Sequence, residues 1–178
     1  MYVKTQRLEL DLIRPESLDS LVELLADDAV KRTYMVPDFT DREETVKLAR
    51  RMLELSRKKD RIVMGIYLDG ELVGILNETE VLGDSVELGY AILPRFQNRG
   101  IGTEALKGAI DYCFDRGFRE VTAGAFAQNR PSFRVMEKNG MTRLEKTDEI
   151  VYRGKVYRCL YYGIQKPAQR ESILPEVL

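Results

Sequence analysis

The segment 97–102, with the sequence Q-N-R-G-I-G, is the part of the chain best suited to bind a charged ligand. It joins an apolar segment at 86–93, predicted to be a buried strand, to a segment at 101–114 whose apolar spacing predicts an amphipathic helix. The first amides of a helix lack partners within it, and the helix dipole makes that end positive. We therefore predict that this loop binds phosphate, specifically the pyrophosphate of a coenzyme.

Other interpretations of the glycine loop fit less well. The pattern G-x-G-x-x-A beginning at Gly100 satisfies a dinucleotide-binding motif, but several predicted strands and helices precede it. The acidic residue that such a motif requires after the next strand is missing at 127–129. No Gly-Lys-Ser/Thr sequence ends the loop as in nucleotide triphosphatases. A tight turn without a ligand would leave the flanking Arg95 and Arg99 unexplained.

Histidine is absent from the 178 residues, which excludes imidazole bases, Ser-His and Cys-His nucleophiles and histidine metal ligands. Acid–base chemistry must then come from carboxylates, tyrosine, lysine, cysteine, backbone groups or water. The net charge of −1 argues against nucleic acid as a partner. No apolar run is long enough to span a membrane, so we expect a cytoplasmic protein. Because histidine ligands are absent, we expect no metal site. Cys113 and Cys159 are expected to be free thiols in the core.

The remaining elements predict one mixed α/β (α+β) domain over residues 1–165, followed by a tail at 166–178. The predicted order is strand, two helices, three antiparallel strands, helix, strand, helix and a closing hairpin, with helices on both faces of the sheet. The strand after the glycine-loop helix is expected to pair in parallel with the strand before it. A capping-box pattern at Thr40 and Glu43 predicts the start of the second helix. The predicted strands lie at 6–13, 61–68, 71–82, 86–93, 120–127, 141–152 and 155–164.

Three motifs in order carry a resemblance to a known family. The strand E-L-G-Y-A-I-L-P from Glu87 precedes Q-x-x-G-x-G, and N-R-P-S-F-R-V-M-E-K-N-G-M from Asn129 follows. This combination resembles the acetyl-coenzyme A site of the GNAT N-acetyltransferases. The motif T-x-R-L-x-L from Thr5 and the closing Y-R-G-K-V-Y-R hairpin resemble the ribosomal-protein (alanine/serine) branch of that family. The resemblance covers about Thr5 to Ile164 and implies a mostly antiparallel sheet of about seven strands with a splayed parallel pair at its centre.

The resemblance implies how acetyl-CoA would be held. The pyrophosphate is expected on the amides from about Arg99 to Thr103, and the pantetheine along the strand that ends at Leu93. A backbone N–H of Ile92 or Leu93 is expected to stabilise the oxyanion of the reaction intermediate. The expected coenzyme-binding residues are Ile92, Leu93, Gln97, Asn98, Arg99, Gly100, Ile101, Gly102, Thr103, Asn129 and Ser132.

The same resemblance implies catalytic roles for Glu87 and Ser132. Glu87 occupies a position where the family often has a glutamate base; an ordinary strand glutamate on a partly solvated face is an equally weighted interpretation. Glu149 is a weaker candidate for the base. Many family members have a tyrosine acid where this chain has Met136. Ser132 is the expected substitute, with Tyr157 and Tyr161 as alternatives.

The acceptor site is expected to include Tyr34, Phe39 and Glu87. An acidic cluster precedes and begins the second helix; its members are Asp38, Asp41, Glu43 and Glu44. The cluster could attract a cationic acceptor, but the favoured interpretation is that it stabilises the N-terminus of the helix. We thus expect a monomer or homodimer that transfers acetyl from acetyl-CoA to a primary amine, either a small molecule or a protein N-terminus. The alternatives are a non-catalytic acetyl-CoA-binding or regulatory module and a nucleotide-binding regulatory protein.

Overall fold

The structure, a computed structural model, describes residues 2–168. Its eight strands are β1 (Tyr2–Lys4), β2 (Leu8–Asp11), β3 (Val63–Leu68), β4 (Glu71–Leu82), β5 (Ser85–Ile92), β6 (Glu120–Phe126), β7 (Thr142–Tyr152) and β8 (Lys155–Gln165). Its five α-helices are α1 (Leu18–Ala26), α2 (Asp28–Lys31), α3 (Arg42–Ser56), α4 (Ile101–Asp115) and α5 (Arg130–Lys138). Short 3-10 turns at Pro15–Ser17 and Pro94–Phe96 follow β2 and β5.

All eight strands form one sheet in the order β1-β2-β3-β4-β5-β6-β8-β7. Every pairing is antiparallel except β5–β6, because α4 carries the chain back to the starting end of β5 before β6 begins. The predicted mixed sheet and its parallel pair are confirmed. The predicted count of seven strands misses β1, which has only three residues and is too short for its alternation to be recognised.

Helices cover both faces of the sheet, as predicted. On one face α4 and α5 bury a core that includes Leu106, Ile110 and Met136 against Val86 and Leu88 of β5. On the other face α1 and α3 bury a second core around Leu21, Leu24 and Ala49. Alternate residues of β5 therefore serve different cores, since successive side chains of a strand point to opposite faces.

Two local predictions need correction. The N-cap of α3 is Asp41, whose carboxylate accepts the N–H of Glu43 at 2.9 Å, so Thr40 does not cap this helix. The short helix α2 was not predicted; Asp27 caps it by accepting from the amides of Ala29 and Val30. Four residues are too few for a helical period to be visible in the sequence.

The predicted tail begins where β8 ends. Lys166 is held to the domain, since its Nζ donates to the Phe114 carbonyl at 2.6 Å and its N–H donates to the Arg119 carbonyl at 2.7 Å. Residues 169–178 lie outside the described part of the chain, and the boundary at 165 stays a prediction. Among the described helices, none has both the length and the apolar composition needed to cross a membrane.

Candidate functional site

The central feature of the site is a gap in the sheet between β5 and β6. The two strands pair only where Ser85 to Glu87 face Glu120 to Thr122. Beyond that point β5 stays paired with β4, and β6 stays paired with β8 as far as Phe126. The facing edges of β5 and β6 are therefore unpaired and diverge, which confirms the splayed pair and leaves room for an extended ligand between them.

One backbone amide faces this gap at the end of β5. The N–H of Leu93 donates to the Val73 carbonyl at 2.9 Å, so it points to β4 and is not available as an oxyanion donor. The N–H of Ile92 points the other way, because backbone groups alternate sides along a strand. The Ile92 carbonyl already accepts from Gln97 Nε2 at 2.8 Å. Of the two amides predicted from sequence, only that of Ile92 lies on the open edge.

The glycine loop leads directly into α4 and exposes a run of amides. Gly100, the N-cap, has a φ of 76°, and Asn98 has a φ of 59°, both in the left-handed region. The first helical bond runs from the Glu104 N–H to the Gly100 carbonyl at 3.0 Å. Within the described chain, the amides from Asn98 to Thr103 have no acceptor. Such a set of free N–H groups at the positive end of a helix dipole suits a pyrophosphate.

A polar clamp from the other end of the chain fixes this loop. Glu104 accepts from the Thr5 hydroxyl at 2.6 Å, and from the Arg7 N–H and Nε at 2.7 Å each. Arg7 Nη1 also donates to the Arg99 carbonyl at 3.1 Å. Burial alone would raise the pKa of Glu104, but the hydrogen bonds from Thr5 and Arg7 and the Arg7 charge lower it overall. The charge of Glu104 is thus balanced by Arg7 next to the predicted anion site.

Sequence reasoning did not find this clamp. Arg7 and Glu104 are almost a hundred residues apart in the chain, and neither belongs to the glycine motif. The T-x-R motif that carried the family resemblance was the available signal. Its structural role is to hold the Arg99 carbonyl and the first turn of α4 in place.

Gly102 faces the entrance of the gap. A Cβ added there would lie 3.8 Å from the side chains of Ile92 on β5 and Val135 on α5. The first turn of α4 therefore approaches both the strand and the second helix closely at this position. A side chain larger than alanine would therefore project into the space between the first turn of α4, β5 and α5.

Ser132 lies across the gap, in the first turn of α5. Asn129 caps this helix as predicted, since its Oδ1 accepts the Ser132 N–H at 3.3 Å. The Ser132 Oγ lies 2.8 Å from the Tyr90 hydroxyl. Met136 is fully buried in the core and contributes no polar group to the gap.

Glu87 lies on the opposite face of the sheet, with 18% of its side chain exposed. Its carboxylate accepts from the Thr79 hydroxyl at 2.9 Å, and Lys146 Nζ lies 3.9 Å away. A cavity of about 310 Å³ adjoins it. The cavity is lined by Glu80, Leu82, Ser85, Glu87, Glu120, Thr122, Leu144, Lys146 and Tyr161. Three carboxylates face one ammonium group here, so the lining favours a cationic ligand.

The loop after α2 brings Tyr34 close to Gly89, which lies on the same face of β5 as Glu87. A Cβ added at Gly89, two residues beyond Glu87, would lie 3.4 Å from the Tyr34 ring, and the Tyr34 hydroxyl donates to Asn77 Oδ1. Burial raises the pKa of Tyr34, so its phenol stays protonated. Phe39 is half-buried in the same loop, and its carbonyl accepts from Lys31 Nζ at 3.5 Å.

Aromatic residues of the closing hairpin border the same face. Phe126 at the end of β6 stacks on Tyr157 with ring centroids 4.5 Å apart, and the Tyr152 hydroxyl donates to the Val36 carbonyl at 2.9 Å. The Tyr161 ring lies over Gly124. Burial and a hydrogen bond with Asp148 raise the pKa of Tyr161. The hairpin thus connects the acceptor-side loop to the sheet.

The other acidic candidates have structural partners. Asp38 pairs with Arg153 at 3.1 Å and with Lys31 at 3.8 Å. Asp41 caps α3, and the two glutamates of its first turn pair with Lys47. The favoured interpretation, that this cluster serves the helix, agrees with the contacts of Asp41, Glu43 and Glu44, whereas Asp38 pairs with residues outside α3. Glu149 pairs across the hairpin with Arg158, on the other face from Tyr161.

Comparison with known proteins gives relatives of the same architecture. A Bacillus subtilis protein, YnaD, described as an uncharacterized N-acetyltransferase, is 24% identical over 166 residues, or 91% of this chain and 95% of that protein. The solved GNAT-family acetyltransferase of Bacillus anthracis superposes with a TM-score of 0.80 at 24% identity, covering 93% of this chain and 98% of that one. RimL, a ribosomal alpha-N-protein acetyltransferase solved with coenzyme A, superposes with a TM-score of 0.81 at 20% identity, covering 93% of this chain and 98% of that one.

The family itself is decided by the sequence match over most of the chain. The sequence model of the acetyltransferase (GNAT) domain family matches residues 7–142 of this chain. This range includes Arg7 of the clamp, the glycine loop and both strands of the gap. The chain therefore belongs to the GNAT acetyltransferase family.

Proposed function

We propose that the protein transfers the acetyl group of acetyl-CoA to a primary amine by direct attack of the amine on the thioester. The observation that carries this proposal is the unpaired gap between β5 and β6, with free amides at one end and a carboxylate on the far face. These features fit an elongated anionic coenzyme. Its pyrophosphate binds the amides from Asn98 to Thr103, and its pantetheine pairs with the open edge of β5.

The two reactants approach from opposite faces of the sheet. Ser132 and the glycine loop belong to the face covered by α4 and α5, and Glu87 and Tyr34 belong to the face with α1 and α3. The amine nitrogen forms a bond to the thioester carbonyl carbon, and the Ile92 N–H stabilises the oxyanion. The carbon–sulfur bond then breaks. Before the attack, Glu87 removes one proton from the ammonium form of the acceptor, directly or through water, which frees the nitrogen lone pair. The second nitrogen proton passes to solvent as the adduct collapses, and coenzyme A leaves as a thiolate whose sulfur accepts a hydrogen bond from Ser132.

The acceptor is a cationic primary amine, and we favour a protein N-terminus. The cavity beside Glu87 has more carboxylates than cations in its lining. RimL, a fold neighbour, is by its description an alpha-N-protein acetyltransferase that acts on a ribosomal protein. A small amine would also fit a cavity of this size.

The test is acceptor-dependent release of coenzyme A thiol on a panel of N-terminal peptides, amino acids, polyamines and aminoglycosides. We expect release with at least one class of amine. A thermal shift with acetyl-CoA and with NAD tests the coenzyme separately; ligand at 100 times its Kd stabilises the fold by about 2.7 kcal/mol. Stabilisation without release by any amine would favour the non-catalytic module. Stabilisation by NAD alone would contradict the proposal.

Gly102→Val tests the placement of the coenzyme. The valine methyl groups would enter the space between Ile92 and Val135, so we expect the acetyl-CoA thermal shift to be lost while the unliganded melting temperature changes little. Gly102→Ala is the matched control, because its Cβ would make only ordinary contacts at 3.8 Å. Unchanged coenzyme affinity in the valine variant would argue that the ligand enters elsewhere.

A further inference from the structure

Tyr90 meets Ser132 across the gap, and no sequence motif assigned it a role. Its hydroxyl lies 2.8 Å from Ser132 Oγ and can also donate to the Ser132 carbonyl oxygen at 3.3 Å, and the shorter contact is the better acceptor for its one proton. Either hydroxyl can donate across the shorter contact. The Tyr90 ring packs against the core between α4 and α5, and a Cβ added at Gly102 would lie 4.0 Å from it. The contact is thus built into the entrance of the gap.

The hydrogen-bonding capacity of a serine explains why this contact matters. A serine hydroxyl has one proton to donate and two lone pairs to accept with. In the first turn of a helix, the serine hydroxyl can instead donate its hydrogen bond to a nearby backbone carbonyl. When Tyr90 donates to Ser132 Oγ, the serine proton cannot point back at Tyr90 and is available for a third group in the gap.

Tyr90 remains a protonated donor at neutral pH. Burial raises the pKa of Tyr90 to about 12, although the hydrogen bond with Ser132 lowers it. Its phenol is half-buried and lies beside the candidate coenzyme path. The phenolic proton is thus present under the conditions in which an acetyltransferase works.

We infer that Tyr90 is a positioning residue that fixes the Ser132 hydroxyl so that its proton points at the sulfur of coenzyme A. This inference rests on the proposed function, since it concerns the departing sulfur of that reaction. Tyr90 does not touch the reacting atoms. It acts through Ser132, and no proton transfer to or from Tyr90 is required.

The pKa of the bound coenzyme A thiol measures this effect without an acetyl acceptor. A hydrogen bond from Ser132 stabilises the thiolate and lowers the thiol pKa below its free value of about 8.5. Thiolate ultraviolet absorbance of the complex gives that pKa. We expect Tyr90→Phe to raise it by about 0.5 unit, the shift that corresponds to a modest hydrogen bond. Ser132→Ala should raise it at least as far, and Tyr90→Phe should add nothing in the Ser132→Ala background.

Tyr162→Phe is a matched control for a purely structural effect. The Tyr162 hydroxyl also joins a strand to α5, donating to Glu137 Oε1 at 3.1 Å, but Glu137 lies near the C-terminal end of the helix and Ser132 lies in its first turn. This variant should leave the thiol pKa unchanged. In turnover, Tyr90→Phe should lower kcat about fivefold with the KM for acetyl-CoA changed less than about twofold.

Several outcomes would overturn the inference. If Tyr90→Phe changed the thiol pKa equally in the wild-type and Ser132→Ala backgrounds, Tyr90 would act independently of Ser132. If Tyr162→Phe changed the thiol pKa as much as Tyr90→Phe does, the effect would reflect a general loosening of α5. If Tyr90→Phe fails to fold, Ser132→Ala still decides, because an unchanged thiol pKa would exclude the hydrogen bond to sulfur. Coenzyme binding without turnover contradicts the proposed transfer alone. Failure of the wild-type protein to bind coenzyme A contradicts both.

Discussion

At the scale of single residues, Glu87 is defined by its neighbours as much as by its own carboxylate. Thr79 donates to it, Lys146 approaches it at 3.9 Å, and Glu80 faces it directly across the β4–β5 ladder. Glu80 lies equally far from Lys146, also at 3.9 Å. The two glutamates therefore contribute similar charge to the cavity. Only Glu87 lies on the strand whose edge borders the gap.

Substituting Glu87 and Glu80 separately tests whether Glu87 is the general base. We expect Glu87→Gln to lower kcat by about 100-fold or more, because a general base contributes roughly 10²–10⁴ to rate. Glu80→Gln should change kcat by less than about threefold, since it alters the charge of the cavity without removing the base. Steady-state thiol release with the best acceptor measures both variants. Similar losses in the two would indicate that the cavity charge, and not proton removal, accounts for the effect.

At the scale of elements, the start of α4 depends on a contact from the N-terminal strands. Glu104 is hydrogen-bonded by Thr5 and Arg7, and Arg7 also holds the Arg99 carbonyl. Gln97 and Asn139 add further contacts to the loop, donating to the Ile92 carbonyl at 2.8 Å and to the Thr103 carbonyl at 3.1 Å. Gly100 already has a φ of 76°, so a substitution there would add backbone strain to any loss of binding. Glu104 is the better position at which to test the loop.

Glu104→Gln should destabilise the fold by about 1–2 kcal/mol, because it weakens charge-assisted hydrogen bonds. It should also reduce acetyl-CoA affinity. The folded-state pKa of Glu104 is lowered, so its contribution is present above the unfolded pKa of about 4.3 and is lost as pH falls through the lower folded value. Denaturant unfolding of the wild-type and Glu104→Gln proteins from pH 7 to pH 3 measures this contribution to the free energy of unfolding.

Asp111→Asn on the same helix is the control for that measurement. Asp111 pairs with Lys107 on the exposed side of α4, and exposed pairs contribute little to stability. We expect a change below about 0.5 kcal/mol and the same coenzyme affinity as the wild-type protein. If Glu104→Gln behaved like Asp111→Asn, the clamp would have no role in forming the loop.

At the scale of the whole molecule, the closing hairpin connects regions that the chain keeps far apart. The Tyr152 hydroxyl donates to the Val36 carbonyl at 2.9 Å, and Arg153 pairs with Asp38 at 3.1 Å. These contacts join the β7–β8 turn to the loop that carries Tyr34. The candidate acceptor site is thus bordered by segments from both halves of the sequence, while the glycine loop lies on the other face of the sheet.

Tyr152→Phe should therefore affect the acceptor more than the coenzyme. Loss of the hydrogen bond to Val36 loosens the loop, and we expect the KM for the amine to rise about three- to tenfold with the acetyl-CoA KM nearly unchanged. Tyr112→Phe removes the hydroxyl that accepts from Arg116 in an exposed contact at the C-terminal end of α4 and should change neither constant. A rise in the acetyl-CoA KM in Tyr152→Phe would contradict the separation of the two sites.

Local pattern was enough to predict much of the molecule. The glycine loop, the flanking strand and helix, the Asn129 cap and the parallel crossover all follow from short stretches of sequence, because periodicity and turn chemistry act over a few residues. The same limit explains the misses. Strand β1 and helix α2 are too short to show a period, and Thr40 and Asp41 are adjacent residues that both suit an N-cap.

The sequence by itself determined the family, the position of the glycine loop ahead of α4 and the absence of histidine chemistry. Only the tertiary structure decided which groups meet. It directs the Leu93 amide to Val73 and the Ile92 amide to the gap, because backbone groups of a strand alternate between its two neighbours. It also brings Arg7 to Glu104 and Tyr90 to Ser132. These contacts join distant parts of the chain, and their pairing is fixed by packing across the sheet, which no local pattern encodes.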